Sequence, residues 1–175
     1  GWSNSASVGS TAWALITTQS QSPTHSYFAP GPSSKNLDDL YSPTVSIPLS
    51  ATNMQFSFWH TYALQNNRDG GVLEFSVDGG AWFDVTAGGS GAAFASGGYT
   101  GTLTGGQGGN RNPLWGRQAW SGTLGAWSQV TVNLTDTAKY AGHTLRARWR
   151  LGTNNNTSSA GWYVDSIALT GGGVA

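Results

Sequence analysis

The sequence has no cysteine, little charge and no long apolar run. Without cysteine there is no disulfide, no thiolate nucleophile and no Cys-based zinc site, so packing must hold the fold, helped at most by a hard cation. Lys, Arg, Asp and Glu make up 9% of the 175 residues, about a third of the usual share. Gly, Ser, Thr and Asn supply the polar surface instead, a composition typical of secreted β-proteins. Eight basic and eight acidic residues cancel, which leaves no field to gather phosphate backbones or anionic lipid and disfavours nucleic acid and membrane partners. No apolar stretch approaches the roughly 18 residues of a membrane span. The first residues, GWSNSAS, lack the charged and apolar regions of a signal peptide, and the chain does not begin with Met. The expectation is a processed product or excised module of a secreted or cell-surface protein, its export inferred from composition.

A helical period is also missing: no segment of ten or more residues repeats its apolar positions every 3.6. A short helix is expected at 135–140, opened by a cap at Thr135 or Asp136. What is present is alternation. In 54–62 the even positions, Met54, Phe56, Phe58, His60 and Tyr62, are large and most odd ones polar, the pattern of a strand with one buried face. A second strand at 72–77 and the Asp78-Gly79-Gly80 turn before Trp82 make a hairpin. Alternation returns at 127–134 and at 143–151, where Leu145, Ala147, Trp149 and Leu151 share one face. Arg146, Arg148 and Arg150 form a row on the other, solvated or paired across strands. A final strand is expected at 162–169 after a polar loop at 153–160, with further strands at 12–18 and 40–47. The Gly-rich stretch 87–113 has few large apolar residues and is expected to run as a long surface loop. The whole chain, 1–175, is expected to be one all-β domain, a two-sheet antiparallel β-sandwich of jelly-roll type.

Several short motifs occur in order: Ser22-Pro23-Thr24-His25-Ser26, Leu40-Tyr41-Ser42-Pro43, Phe56-Ser57-Phe58-Trp59-His60, Asp69-Gly70-Gly71-Val72-Leu73-Glu74, Gly97-Gly98-Tyr99, Gly116-Arg117, Ala119-Trp120-Ser121-Gly122 and Gly161-Trp162-Tyr163-Val164-Asp165. Over nearly the whole chain this series resembles the MAM-like jelly-roll accessory domains beside the catalytic units of bacterial extracellular peptidases, including the immune inhibitor A type. The resemblance implies a non-catalytic, secreted or surface module, commonly calcium-stabilised. Two departures stand out. An amide, Gln65, is found near a position where the family usually has an acidic residue, and Trp115 stands where it usually has a small one.

Calcium seeks six to eight oxygen ligands. The candidates are Asp38, Asp39, Asp69 and Asp165. Asp165 is the most suggestive, because a carboxylate within an apolar strand is expensive unless paired or metal-bound; pairing with an arginine or capping a turn are the alternatives. Asp38 and Asp39 would share one ion or solvate a turn, and Asp69 would ligate or sit in a hairpin turn. His25, His60 and His143 show no zinc spacing, and His60 is expected as a hydrogen-bonded core imidazole.

Catalytic motifs are lacking, with neither a Gly-x-Ser-x-Gly elbow nor an HExxH helix, so the chain is read as a binder or support and not an enzyme. Of nine tryptophans, those in or beside strands suit the core. Trp115, Trp127 and Tyr99 near the Gly-rich loop would stack on sugar faces, with Asn110, Arg111 and Asn112 bonding hydroxyls; pinning the loop to the sheet is the alternative. The leading expectation is a calcium-stabilised module recognising polysaccharide. A protein-binding, adhesive or self-associating structural domain is the second, and a hydrolase the third.

Overall fold

The computed structural model describes residues 1–174. Its strands are β1 (Ser3–Val8), β2 (Ala14–Ile16), β3 (Ser26–Gly31), β4 (Asn36–Tyr41), β5 (Val45–Ser46), β6 (Thr52–Ala63) and β7 (Gly70–Val77), followed by β8 (Phe83–Asp84), β9 (Ala92–Ser96), β10 (Gly101–Thr102), β11 (Gln118–Ala119), β12 (Thr123–Leu134), β13 (Thr144–Thr153) and β14 (Ser159–Gly172). A 3-10 turn covers Gly108–Asn110, and one helical turn, α1 (Thr137–Tyr140), is capped by Asp136, whose side chain accepts from the Lys139 N–H.

Two antiparallel sheets face each other. The first has the order β1-β4-β13-β7-β8, with β5 also on β13; the second runs β2-β3-β14-β6-β12-β9. The alternation in the sequence decides which side chains enter the space between them. Met54, Phe56, Phe58, His60 and Tyr62 from β6 meet Leu145, Ala147, Trp149 and Leu151 from β13, and all are buried. Such aromatic edges and faces supply most of the buried area: Phe58 stands edge-on to His60, Trp120 and Trp149 at 5.4–5.7 Å. His60 accepts from the Trp162 indole at 3.3 Å, and burial lowers its pKa to about 3.

The strand expected at 40–47 is interrupted. Pro43 has no N–H to continue a ladder, and Ser42 turns its hydroxyl to the Ala147 N–H, so β4 ends at Tyr41 and β5 resumes at Val45. The 87–113 stretch is not a simple excursion. It contributes β9, an edge of the second sheet paired to β12, and β10, paired to β11. The remainder folds over the outer face of the first sheet, where Leu103, Leu114 and Ala119 cover Val72 and Leu37.

Gly161 sits at a bulge in β14 with φ of +116°, and any Cβ there would collide with the Ala29 carbonyl. The bulge lets β3 pass Pro30 while keeping Ala29 opposite Trp162.

The arginine row of β13 lies on the outer face of the first sheet. Register places Arg148 opposite Glu74 and Arg150 opposite Asp39. Glu74 also receives Arg117 at 2.6 Å, and Arg117 in turn holds Asp84 at 2.6 Å.

Candidate functional site

The Gly-rich segment is fixed by bonds that a mobile loop would lack. Trp120 donates its indole N–H to the Gly97 carbonyl at 2.8 Å, and the Leu103 and Gly116 backbones bond to Arg117 and Leu103. The Gly105 N–H reaches the Asn67 carbonyl at 2.8 Å. Asn112 is the central tie. Its amide donates to the carbonyls of Arg68 and Gly152, and its oxygen accepts from the Leu114 N–H. Those bonds and an exposure of 2% leave Asn112 no free group for a ligand hydroxyl, contrary to the expectation from sequence.

Tyr99 is likewise occupied within the fold. Its hydroxyl accepts from the Leu73 N–H at 3.0 Å, and its one proton has the Asp84 carboxylate at 3.1 Å and the Leu73 carbonyl at 3.2 Å as acceptors. Its ring packs against Trp120 at 4.7 Å and Phe94 at 5.0 Å. Burial, with the Asp84 carboxylate second, raises the phenol well above its ordinary pKa. This ring pins the loop to the core. Trp127 lies on β12 against Tyr163 of the second sheet, 6.4 Å between centroids, not on the Gly-rich loop.

Arg111 and Trp115 come together, and Asn110 precedes Arg111 in the chain. The Arg111 guanidinium lies 4.0 Å over the Trp115 ring, and Trp115 remains 42% exposed. Asn110 lines a groove of about 410 Å³ with Arg68, Thr104, Gln107, Asn155 and Asn156. The 68, 104–110 and 155–156 segments meet because Gly105 is bonded to Asn67 and because β7 and β13 run side by side to this end. Arg68 has no carboxylate partner among the described residues. Amide and guanidinium groups of this kind bond hydroxyls in both directions. Reading along the chain missed Arg68, Asn155 and Asn156 as a set, although the Asn-rich 153–160 loop was visible as polar surface.

The four candidate metal ligands do not share a site. Among the described residues no three His, Asp or Glu side chains form a metal-sized group. Asp165 accepts the backbone N–H groups of Gln21, Ser22 and Ser166 at 2.6–2.9 Å; its carboxylate caps the turn before β3. Asp38 and Asp39 are neighbours within β4, and the pleat sends them to opposite faces, so one ion cannot take both. Asp39 faces out to Arg150 at 2.7 Å. Asp38 accepts from Thr11 at 2.8 Å, and burial raises its pKa to about 6.

Asp69 differs from the other three. It is fully buried, and one carboxylate oxygen takes the Asn154 N–H at 2.9 Å. The other has no protein partner; nor have Gln65 Oε1 and Asn154 Nδ2, both buried. The Asp69 N–H bonds the Gln65 carbonyl at 2.9 Å, so the three residues that carry the unsatisfied atoms are joined through their backbones. Carboxylate and amide oxygens are ligand types that a hard cation takes, with backbone carbonyls and water needed to complete the shell. Burial raises Asp69 to about pH 6, so a proton is the competing occupant.

No family model matches the sequence, and no curated protein does. Solved structures do match in fold. The carbohydrate-binding module TmCBM61, solved in complex with β-1,4-galactotriose, aligns with a TM-score of 0.57 at 10% identity, covering 97% of this chain and 88% of that one. The chain is similar in fold to binding domains. The K2 cleaved adhesin domain of Lys-gingipain aligns at 0.52 and 14% identity over 97% and 88% of the two chains. The K1 cleaved adhesin domain, from Porphyromonas gingivalis W83, aligns at 0.50 and 12% over 97% and 90%. At these identities the likeness establishes the β-sandwich and nothing about ligand.

Proposed function

We propose that this chain is a non-catalytic, secreted or cell-surface accessory module that recognises a polymer, polysaccharide foremost, through the groove beside Trp115. One observation carries the reading: Arg68, Thr104, Gln107, Asn110, Asn155 and Asn156 line a polar groove of about 410 Å³ at one end of the sandwich, with the exposed Trp115 ring in the same loop. Polar groups that orient hydroxyls, with an exposed aromatic ring a few residues along the same loop, suit a sugar chain. The fold shared with a carbohydrate-binding module supports it. The narrower kinship, a MAM-like domain of bacterial extracellular peptidases, rests on the motif series.

A structural calcium belongs to the same proposal. Asp69 and Gln65 would hold it, and it would tie the end of β6 to the start of β7, beside the groove residue Arg68.

Native gels cast with a panel of soluble neutral polysaccharides test the groove. Retarded migration of the parent protein, lost in Trp115→Ala and in an Asn110→Ala, Asn155→Ala double variant, is expected. Unaltered migration of the parent in every neutral glycan would remove the reading.

A second reading is favoured by β1. This outer strand of the first sheet exposes all six of its residues, Ser3–Val8, and small side chains at an open edge admit another strand. Attachment to a protein, or self-association, would use that edge. Light scattering across concentration decides it, a monomer at high concentration counting against self-association.

A further inference from the structure

We infer that the uncovered part of the first sheet's outer face is a separate sugar site, selective for an anionic sugar, in which Arg146 takes the carboxylate or sulfate and Trp82 the ring. This inference rests on the polysaccharide-binding reading but uses none of the groove residues.

Charge matching across the strands singles out Arg146. Of the three arginines on this face of β13, Arg148 meets Glu74 and Arg150 meets Asp39, whereas the register partner of Arg146 is Ser76. Counting the four arginines there, 117, 146, 148 and 150, against Glu74, Asp84 and Asp39 leaves one positive charge in excess; the nearby Asp78 carboxylate is taken by Thr144 and, at 2.6 Å, by His143. Arg146 is nonetheless oriented. Its Nε donates to the Ser42 carbonyl at 2.9 Å, one terminal nitrogen reaches Ser3 at 3.1 Å, and its plane lies 5.0 Å from the Tyr41 ring. The other terminal nitrogen has no protein partner among the described residues. An ordered fork with a free N–H and no counter-charge is suited to a carboxylate or sulfate oxygen.

The surroundings fit a sugar. Arg146 and Trp82 line one groove of about 170 Å³ together with Thr44, Ser76, Gly79, Gly80 and Thr144. That volume is below the roughly 300 Å³ of drug-sized pockets and is on the scale of a single sugar ring in a longer chain. Trp82 is held by the Arg148 guanidinium 4.5 Å over its ring and by Tyr41 at 5.6 Å, so its indole is fixed before any ligand arrives, which lowers the entropy lost on binding. The Gly-rich loop covers Val72 and Leu37 at the far end of this sheet and leaves this end open.

Affinity electrophoresis in polygalacturonate, in dextran sulfate and in neutral galactan tests the site and separates the two anion sources. The expected result is retardation by at least one anionic polymer, with the apparent dissociation constant raised tenfold or more in Arg146→Ala and in Trp82→Ala. Arg146→Lys keeps the charge but loses the fork, and it is expected to lose most of the retardation too. Trp115→Ala should bind the anionic polymers as the parent does. No retardation of the parent by either anionic polymer overturns the inference. So does unchanged binding by Arg146→Lys and Trp82→Ala, which would mean diffuse ionic attraction. Neutral galactan responding to Trp115→Ala alone reports on the groove, so the two readings fail separately. Thermal melts verify each fold; should Arg146 variants unfold, Trp82→Ala decides.

Discussion

Gly71 of β7 lies against the indole of Trp162 from the opposite sheet. A Cβ on Gly71 would stand 2.7 Å from two carbons of that ring, closer than packed atoms approach. The two sheets touch here through a missing side chain on one and the largest side chain on the other. Because Trp162 also bonds His60 and packs on Trp13 and Trp120, it has nowhere to move. Gly71→Ala is therefore expected to lower stability by about 1–3 kcal/mol, the usual range for overpacking. A urea titration measures it, and a stability equal to that of the parent would show that the core yields.

Glu74 is the hub of the outer-face ion pairs. It is buried, and it is bonded by Arg117 and Arg148, with Arg150 at 3.8 Å. Glu74→Gln would leave those guanidinium groups short of a counter-charge, and a loss of about 3 kcal/mol is expected. Glu74→Gln combined with Arg148→Met should recover part of it, because the pair and not its bulk is at stake. Denaturation of the single and double variants checks the recovery.

The strands that alternation revealed are β6, β7, β12, β13 and β14, whose core-facing side chains had to alternate for the core to close; β7 is buried on its outer face as well, under the Gly-rich segment and the ion pairs of Glu74. The strand β1 could not be read this way. It carries Ser, Asn and Ala at an exposed edge, and only its pairing with β4 makes it a strand. Pro30 hid β3, since the bulge at Gly161 that accommodates it lies more than a hundred residues away in the chain. The functional end shows the same division. An exposed tryptophan in a Gly-rich loop was visible as a signal. Asn110 and Asn112 are chemically identical and two residues apart, and the backbone alone decides that one lines the groove while the other ties the loop. Arg68, Asn155 and Asn156 join the groove through the pairing of β7 with β13. Likewise, Asp165 is saturated by N–H groups from the segment before β3, a partner no local pattern announces.

Asp38 makes stability depend on pH in a direction opposite to that of most carboxylates. Its pKa is about 6 in the fold, against 3.8 as the ordinary value. The folded state then holds the proton more tightly than the unfolded chain, so stability from this group is full below about pH 4 and is lost as pH rises to about 6. At about 1.4 kcal/mol per unit, ionising Asp38 costs on the order of 3 kcal/mol. His60 acts the other way, because its depressed pKa favours the fold as pH rises above 3 toward 6.5. Comparing Asp38→Asn with the parent cancels His60. The variant should gain on the parent between pH 4 and 6 and hold that gain above 6. A difference constant across urea titrations at pH 4, 5, 6 and 7 would contradict the burial argument.

Asp69 carries the same cost, and here a cation competes with the proton for the oxygen that lacks a donor. If calcium binds as proposed, chelator should lower the melting temperature at pH 7 and calcium restore it, by about 2.7 kcal/mol at a hundredfold excess over the dissociation constant. The effect should fade near pH 5, where a proton occupies Asp69 in place of the cation. Asp69→Asn removes the ionisation cost, so it is expected to be no less stable than the parent in chelator and to gain nothing from calcium. Asp165→Asn is expected to lose stability through its weakened backbone bonds yet to keep the whole calcium response, since its carboxylate already has its donors. Differential scanning calorimetry with and without calcium resolves all three proteins. A parent that ignores chelator and carries no metal by elemental analysis would reject the site, and would leave the proton as the group that satisfies Asp69.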